Sequence, residues 1–97
     1  MARYIMLVNW TDQGIRNVKE SPKRLDAARN AAKGVGAEIR DFYMTMGDHD
    51  LVLVVDAPTD EAVAKFALVQ GGAGNVRTKT LKAFSETEYR AIIASLA

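Results

Sequence analysis

Two rhythms of apolar residues run through this chain. Tyr4 to Val8 and Leu51 to Val55 are unbroken apolar runs. Their length and their β-branched or aromatic content predict strands over Arg3–Val8 (RYIMLV) and Leu51–Pro58 (LVLVVDAP), the latter closed by Pro58. A helical rhythm separates them. Ile15 and Val18 fall one turn apart with Thr11 as a candidate N-cap, and Leu25, Ala28, Ala32 and Val35 form one apolar stripe. Ser21-Pro22 interrupts that stretch, because the residue before a proline is disfavoured in helix. Ser21 is expected to cap the second piece with Pro22 at its first position, and Gly34 and Gly36 to stop it.

Ala37–Met44 (AEIRDFYM) alternates loosely and predicts a second strand, joined by the short turn TMGDHD to the run at Leu51. Thr59 is expected to cap a helix whose face carries Ala62, Val63, Phe66 and Ala67. QGGAGN is its exit, NVRTKTLKAF a fourth strand, and Ser85-x-x-Glu88 a capping box that opens a short helix with Ile92, Ile93 and Leu96. The order predicts one α+β domain over residues 1–97. Its form is the ferredoxin-like split βαβ (βαββαβ): a four-stranded antiparallel sheet, two helices on one face, and a short C-terminal helix.

A sheet with one wet face alternates apolar and polar residues. Strands one and three do not: Tyr4, Met6 and Val8 point one way, Ile5 and Leu7 the other, and Val52 and Val54 oppose Leu51, Leu53 and Val55. Both faces therefore need cover, from the C-terminal helix or from a second subunit. The subunit is the preferred expectation, giving sheet packed on sheet in a dimer or a ring of dimers.

Composition removes several function classes. The formal net charge is +1, from 13 Lys+Arg and 12 Asp+Glu, which argues against nucleic-acid or anionic-membrane binding. With no cysteine and one histidine, thiolate chemistry is excluded and a structural or catalytic metal is not expected. The start MARYIMLVNW lacks the features of a signal peptide, and no apolar run could span a bilayer, so a cytoplasmic location is expected. An RNA-binding sheet of this topology would need aromatics on strands one and three, and strand three has none.

The segments TDQGIRNVKESPKR, YMTMGDHDLVLVVDAP and GGAGNVRTKTLKAF resemble the marker segments of the GYD domain proteins, over roughly Tyr4 to Phe84. Gly47 and Asp50 match the signature for which that family is named, and His49 stands where its tyrosine would be. The resemblance implies a bacterial or archaeal protein with a ferredoxin-like fold, related in architecture to dimeric α/β barrels, and it names no reaction.

Candidate chemistry centres on Asp48-His49-Asp50. An imidazole titrating near neutrality could act as an acid–base group with Asp50 orienting it. The plainer reading is a turn at Gly47-Asp48 in which Asp50 accepts from backbone amides. The resemblance favours the turn, since a site needing imidazole would not take tyrosine in relatives. GGAGN follows a helix and precedes a strand, the reverse of a phosphate-binding loop, and lacks Gly-Lys-Ser/Thr; it reads as a helix end. The basic alternation of Arg77 and Lys79 suits an edge strand that resists aggregation. A pocket for a small anionic ligand could be lined by Asn9, Trp10, Thr11, Arg24, Tyr43, His49 and Arg77, with Arg24 near a helix start. Alternatively Trp10 and Tyr43 are core or interface anchors and Arg24 pairs with Asp12 or Asp50. The leading functional expectation is an oligomeric small-molecule-binding or accessory module without a cofactor. The alternative is a cofactor-free enzyme (isomerase, cyclase or monooxygenase) with catalytic His49 and Asp50, and Arg24 or Arg77 holding an anionic substrate.

Overall fold

The apolar run at the start becomes β1 (Ala2–Trp10), followed by α1 (Asp12–Arg16), a single 3₁₀ turn (Val18–Glu20), α2 (Ser21–Gly34), β2 (Glu38–Met44), β3 (Leu51–Ala57), α3 (Asp60–Gly72), β4 (Val76–Ala83) and α4 (Glu86–Ala94). The computed structural model describes residues 1–97. The strands form one four-stranded sheet in the order β2-β3-β1-β4, and every neighbouring pair is antiparallel. This is the α+β ferredoxin-like arrangement that the element order predicts.

Period-two alternation decides what each face buries. Tyr4, Met6 and Val8 of β1 and Leu51, Leu53, Val55 and Ala57 of β3 are buried beneath α2 and α3. The helices answer with small residues, Ala28 and Ala32 from α2 and Ala62 from α3, so their backbones can approach the sheet; Phe66 and Val63 fill what remains. The opposite face carries Ile5, Leu7, Val52 and Val54, with Ile5 paired to both Val54 and Leu81 and Leu7 paired to Val52. No helix covers it. α4 forms the expected capping box between Ser85 and Glu88 yet buries none of its residues. Tyr89, Ile92 and Ile93 stay exposed along it, as does Leu96 just past its end. The molecule is accordingly long and thin, 52 × 31 × 17 Å, and its radius of gyration of 14.6 Å exceeds the roughly 13 Å of a compact chain this long.

The sequence-based boundaries need three corrections. β1 runs on through Asn9 and Trp10, which pair with Arg77 and Val76. Ser21 does not cap α2. It is itself helical (φ −55°, ψ −42°) and its N–H donates to Val18 O, so the preceding 3₁₀ turn leads into α2 without an extended residue, although Pro22 does sit at the helix start. The helix ends as a Schellman motif: Gly36 takes φ 77°, and the N–H groups of Gly36 and Ala37 donate to Lys33 O and Ala32 O at 3.0 and 2.8 Å. Ala37 thus belongs to the helix stop rather than to β2.

α1 is locked against the 71–75 turn. Thr11 caps α1 by accepting from Gly14 N, and its own hydroxyl donates to Gly74 O at 2.6 Å. Thr11 N donates to Asn75 O at 3.0 Å. The carbonyls of the glycine-rich segment therefore face a helix start. The contact is so close that a Cβ on Gly14 would lie 1.9 Å from Asn75 O. We expect Gly14→Ala to lose about 1–3 kcal/mol in chemical denaturation, the cost of forcing two backbones apart. Gly71→Ala, where the added methyl meets open space at the end of α3, should gain up to about 0.5 kcal/mol. A Gly14→Ala protein as stable as its parent would disprove the close approach.

Candidate functional site

The C-terminal end of β1 organises two distinct sites, because Asn9 and Trp10 point to opposite faces. Trp10, on the helix side, lines a cavity of about 60 Å³ bounded by Val8, Leu25, Phe42, Leu51, Phe66 and Val76. The cavity continues past Trp10, Ser21 and Leu25 into a groove of about 290 Å³ walled by Val18, Pro22 and Met44. The lining is mostly apolar, with Ser21, Arg24, Gln70 and Thr78 as its polar members. One residue of the lining carries an unpaired donor: Trp10 Nε1 is buried and donates to nothing. A buried, unmade hydrogen bond of this kind costs roughly 1–3 kcal/mol, and native proteins contain few of them.

Arg24 reaches the same cleft from the first turn of α2. Its guanidinium donates to Asn17 O at 2.9 Å and Gly14 O at 3.2 Å, the carbonyl end of α1, where a cation is electrostatically favoured. The expected pairing with Asp12 or Asp50 does not form, since α1 holds Arg24 through backbone oxygens. Asp50 is engaged elsewhere: its carboxylate accepts from Trp10 N at 2.9 Å, the backbone-amide role that the turn reading assigns it.

On the other side, Asn9 clasps the 45–50 turn. Its amide donates to Asp48 O at 3.0 Å, while its Oδ1 accepts from Asp50 N at 3.3 Å and faces His49 Nδ1 at 3.2 Å. Thr45 Oγ1 donates to His49 O at 2.6 Å, and Thr45 N to Asp50 O at 2.7 Å. Because Asn9 Oδ1 is an acceptor, the network assigns the His49 proton to Nδ1 and leaves Nε2 as the basic nitrogen. Asn9, and not the expected Asp50, is the residue that orients this ring. Neighbouring residues diverge here as they do along a strand.

The remaining candidates scatter. Thr11 is spent on capping α1. Arg77 is exposed on the edge strand β4, opposite Asn9. Tyr43 is 59 % exposed and pairs with Val52, on the bare face of the sheet. A register shift between Ile39 and Asp41 causes this: simple alternation from buried Ile39 would turn Tyr43 to the helix side, whereas the bulge puts Phe42 and Met44 there instead, Met44 at the exposed margin. Phe42, Ser21, Gln70 and Thr78 are the cleft residues that sequence reasoning missed. For Phe42 no signal marks the bulge, and the other polar residues meet only through tertiary packing. No three His, Cys, Asp or Glu side chains come together as a metal site, and no helix is long and apolar enough to cross a membrane.

Strong electrostatics lies at the far end of β1. The Tyr4 hydroxyl donates to Asp60 in the first turn of α3. This bond, with desolvation, pushes the tyrosine up to about 12, and the same bond, aided by Lys82, lowers Asp60. The hydrogen bond from Arg3, 2.9 Å long, likewise holds Asp56 below the usual carboxylate range.

A ferredoxin-like α+β domain with a lipped cleft under its first long helix is thus the class that fold and site define. The family model described as GYD domain matches residues 4–93, and the chain belongs to that family. Among curated proteins, none matches it.

Folding raises the Tyr4 pKa, so the stability this contact adds is complete below the tyrosine's ordinary 10.0 and is lost as pH climbs through about 12. Tyrosinate absorbance should show a late step that Tyr4→Phe removes, and Tyr4→Phe should flatten the alkaline fall in stability. A titration without that late step would contradict the assignment.

Proposed function

We propose that this chain works as an oligomeric small-molecule-binding or accessory module, assembled sheet on sheet as a dimer or a ring of dimers. The observation that carries the reading is the division of labour between the sheet's faces. One face holds the helices and the cleft; the other presents Ile5, Leu7, Val52, Val54 and Leu81 with no cover. Apolar surface gathered at the centre of a sheet is characteristic of a protein interface, and α4, with its own exposed apolar residues, extends the surface available to a second copy. The cleft supports the ligand half of the reading: it is apolar, concave and provided with a few convergent polar groups, as small-molecule sites are.

Val54→Asp places a carboxylate in the middle of the proposed interface and should raise the dissociation constant at least about a hundredfold while the chain stays folded. Native mass spectrometry and circular dichroism read the two properties separately. Leu53→Asp is the contrasting control: Leu53 is only 6 % exposed on the helix side, so this variant should unfold. A folded Val54→Asp protein that keeps its oligomeric state would refute the sheet-on-sheet arrangement.

The fixed tautomer of His49 favours one second reading, that of a cofactor-free enzyme of the isomerase, cyclase or monooxygenase sort. In it, Nε2 is the base, Asn9 holds the ring and Arg77, paired with Asn9 across the strands, receives an anionic substrate; Arg24, in the cleft on the other face, drops out of this role. His49→Tyr then lowers kcat/KM at least about a hundredfold on any substrate turned over; full retention of activity would dismiss the histidine mechanism.

A further inference from the structure

We propose that the bare face receives a second copy of this chain with the two-fold axis running along the strands, so that β2 of each protomer lies over β4 of its partner. The acidic edge of one sheet then meets the basic edge of the other. This rests on the sheet-on-sheet reading above and gives that assembly its orientation.

Residues paired across neighbouring strands share a face, so the register lays the bare face out in rows. Asp41 lines up with Val54, Ile5 and Leu81, and in the next row Tyr43 lines up with Val52, Leu7 and Lys79. Arg77 follows on β4, opposite Asn9. The centre is apolar and the two edge strands carry charges of opposite sign. Toward the start of β1 the charges neutralise one another: Arg3 pairs with Asp56 at 2.9 Å, and Arg40 with Asp56 and Glu38 at 3.6 and 3.8 Å. Asp41 on β2, and Arg77 and Lys79 on β4, are left over. All three are exposed, and none forms an ion pair within its own chain.

A two-fold operation that packs two sheets face to face has its axis in the plane between them. An axis across the strands lays β2 on β2 and β4 on β4, which sets Asp41 toward its own copy and the two cations toward theirs. An axis along the strands exchanges the edges and lays β3 over β1, so Val54 and Ile5 still meet apolar residues. Tyr43 then faces the partner subunit's Lys79, whose long side chain can turn to Asp41 one row away. Stacked sheets lie roughly 10 Å apart, a gap that a lysine and an aspartate pointing toward each other can close. The same axis starts both α4 helices at one end of the assembly, because each follows directly on the Ala83 end of β4. Their exposed Tyr89, Ile92 and Ile93 would there cover one another, whereas an axis across the strands sends them to opposite ends.

The test is the dissociation constant of the full chain, measured by analytical ultracentrifugation in low and high salt, with circular dichroism to confirm folding. Asp41→Lys and Lys79→Glu should each raise it at least about tenfold in low salt, because each sets like charges face to face. The loss should shrink in high salt. Both substitutions in one chain restore opposite signs and should return the constant to within about threefold of the parent. Arg77→Glu takes the place of Lys79→Glu if the latter does not fold. Single variants that associate like the parent, or a double variant weaker than either single one, would overturn the orientation. If Val54→Asp nevertheless separates the subunits, the sheets do pack together, but with the axis across the strands. A parent chain that stays monomeric at every concentration would overturn the oligomeric reading and this inference with it.

Discussion

The structure is governed by one shortage: a sheet with two apolar faces has only enough helix to cover one. β1 and β3 are apolar at nearly every position, so neither face can be left to water at low cost. α2 and α3 solve the problem on one side by bringing alanines against Tyr4, Met6, Val8, Leu53 and Val55. The last helix does not solve it on the other, because a capping box launches α4 outward and none of its side chains becomes buried. A thickness of 17 Å is that of one sheet and one helical layer. The hydrophobic term that scales with buried area therefore remains unspent on the bare face, and pairing with an identical face is the most economical way to recover it.

The same alternation that creates two apolar faces also separates the two candidate sites. At the end of β1, Val8 still belongs to the core, Asn9 turns toward the 45–50 turn and Trp10 toward the cleft. Asp50 joins them, since its backbone N–H meets Asn9 Oδ1 and its carboxylate meets Trp10 N. Three consecutive residues thus supply core, clasp and cleft wall. The aspartate that looks catalytic in the sequence is the rivet between strand and turn.

Element order, topology and the unusual second face were legible because they follow from local patterns: unbroken apolar runs, caps at Thr11, Thr59 and Ser85, and glycine stops. What stayed hidden was set by interactions that local pattern does not encode. The bulge near Arg40 re-phases β2, sending Tyr43 to the bare face and Phe42 into the cleft. Ser21 follows the 3₁₀ turn before it rather than the rule about residues preceding proline. Trp10 and Arg24 were legible as candidates, yet the cleft that they line together exists only once α2 is folded onto the strand end. Resemblance to the GYD proteins foretold the family; it could not say which side of the sheet would carry the cleft.

The turn that drew attention in the sequence is best understood through its backbone. Asn9 to Asp48 O, Asp50 N to Asn9, Thr45 to His49 O and Thr45 N to Asp50 O all fix its shape without using the imidazole. The ring adds a single 3.2 Å contact to a conformation already determined, so a tyrosine, as the family resemblance places there, could replace it without loosening the clasp. Trp10 is in the opposite position, since its indole N–H is the one group whose environment is incomplete. A residue that the fold can spare is a weak candidate for the work of the site, and a residue that the fold leaves unsatisfied is a strong one. By that criterion the cleft beneath α2 is the stronger candidate site, and the hairpin turn serves to hold its strand in place.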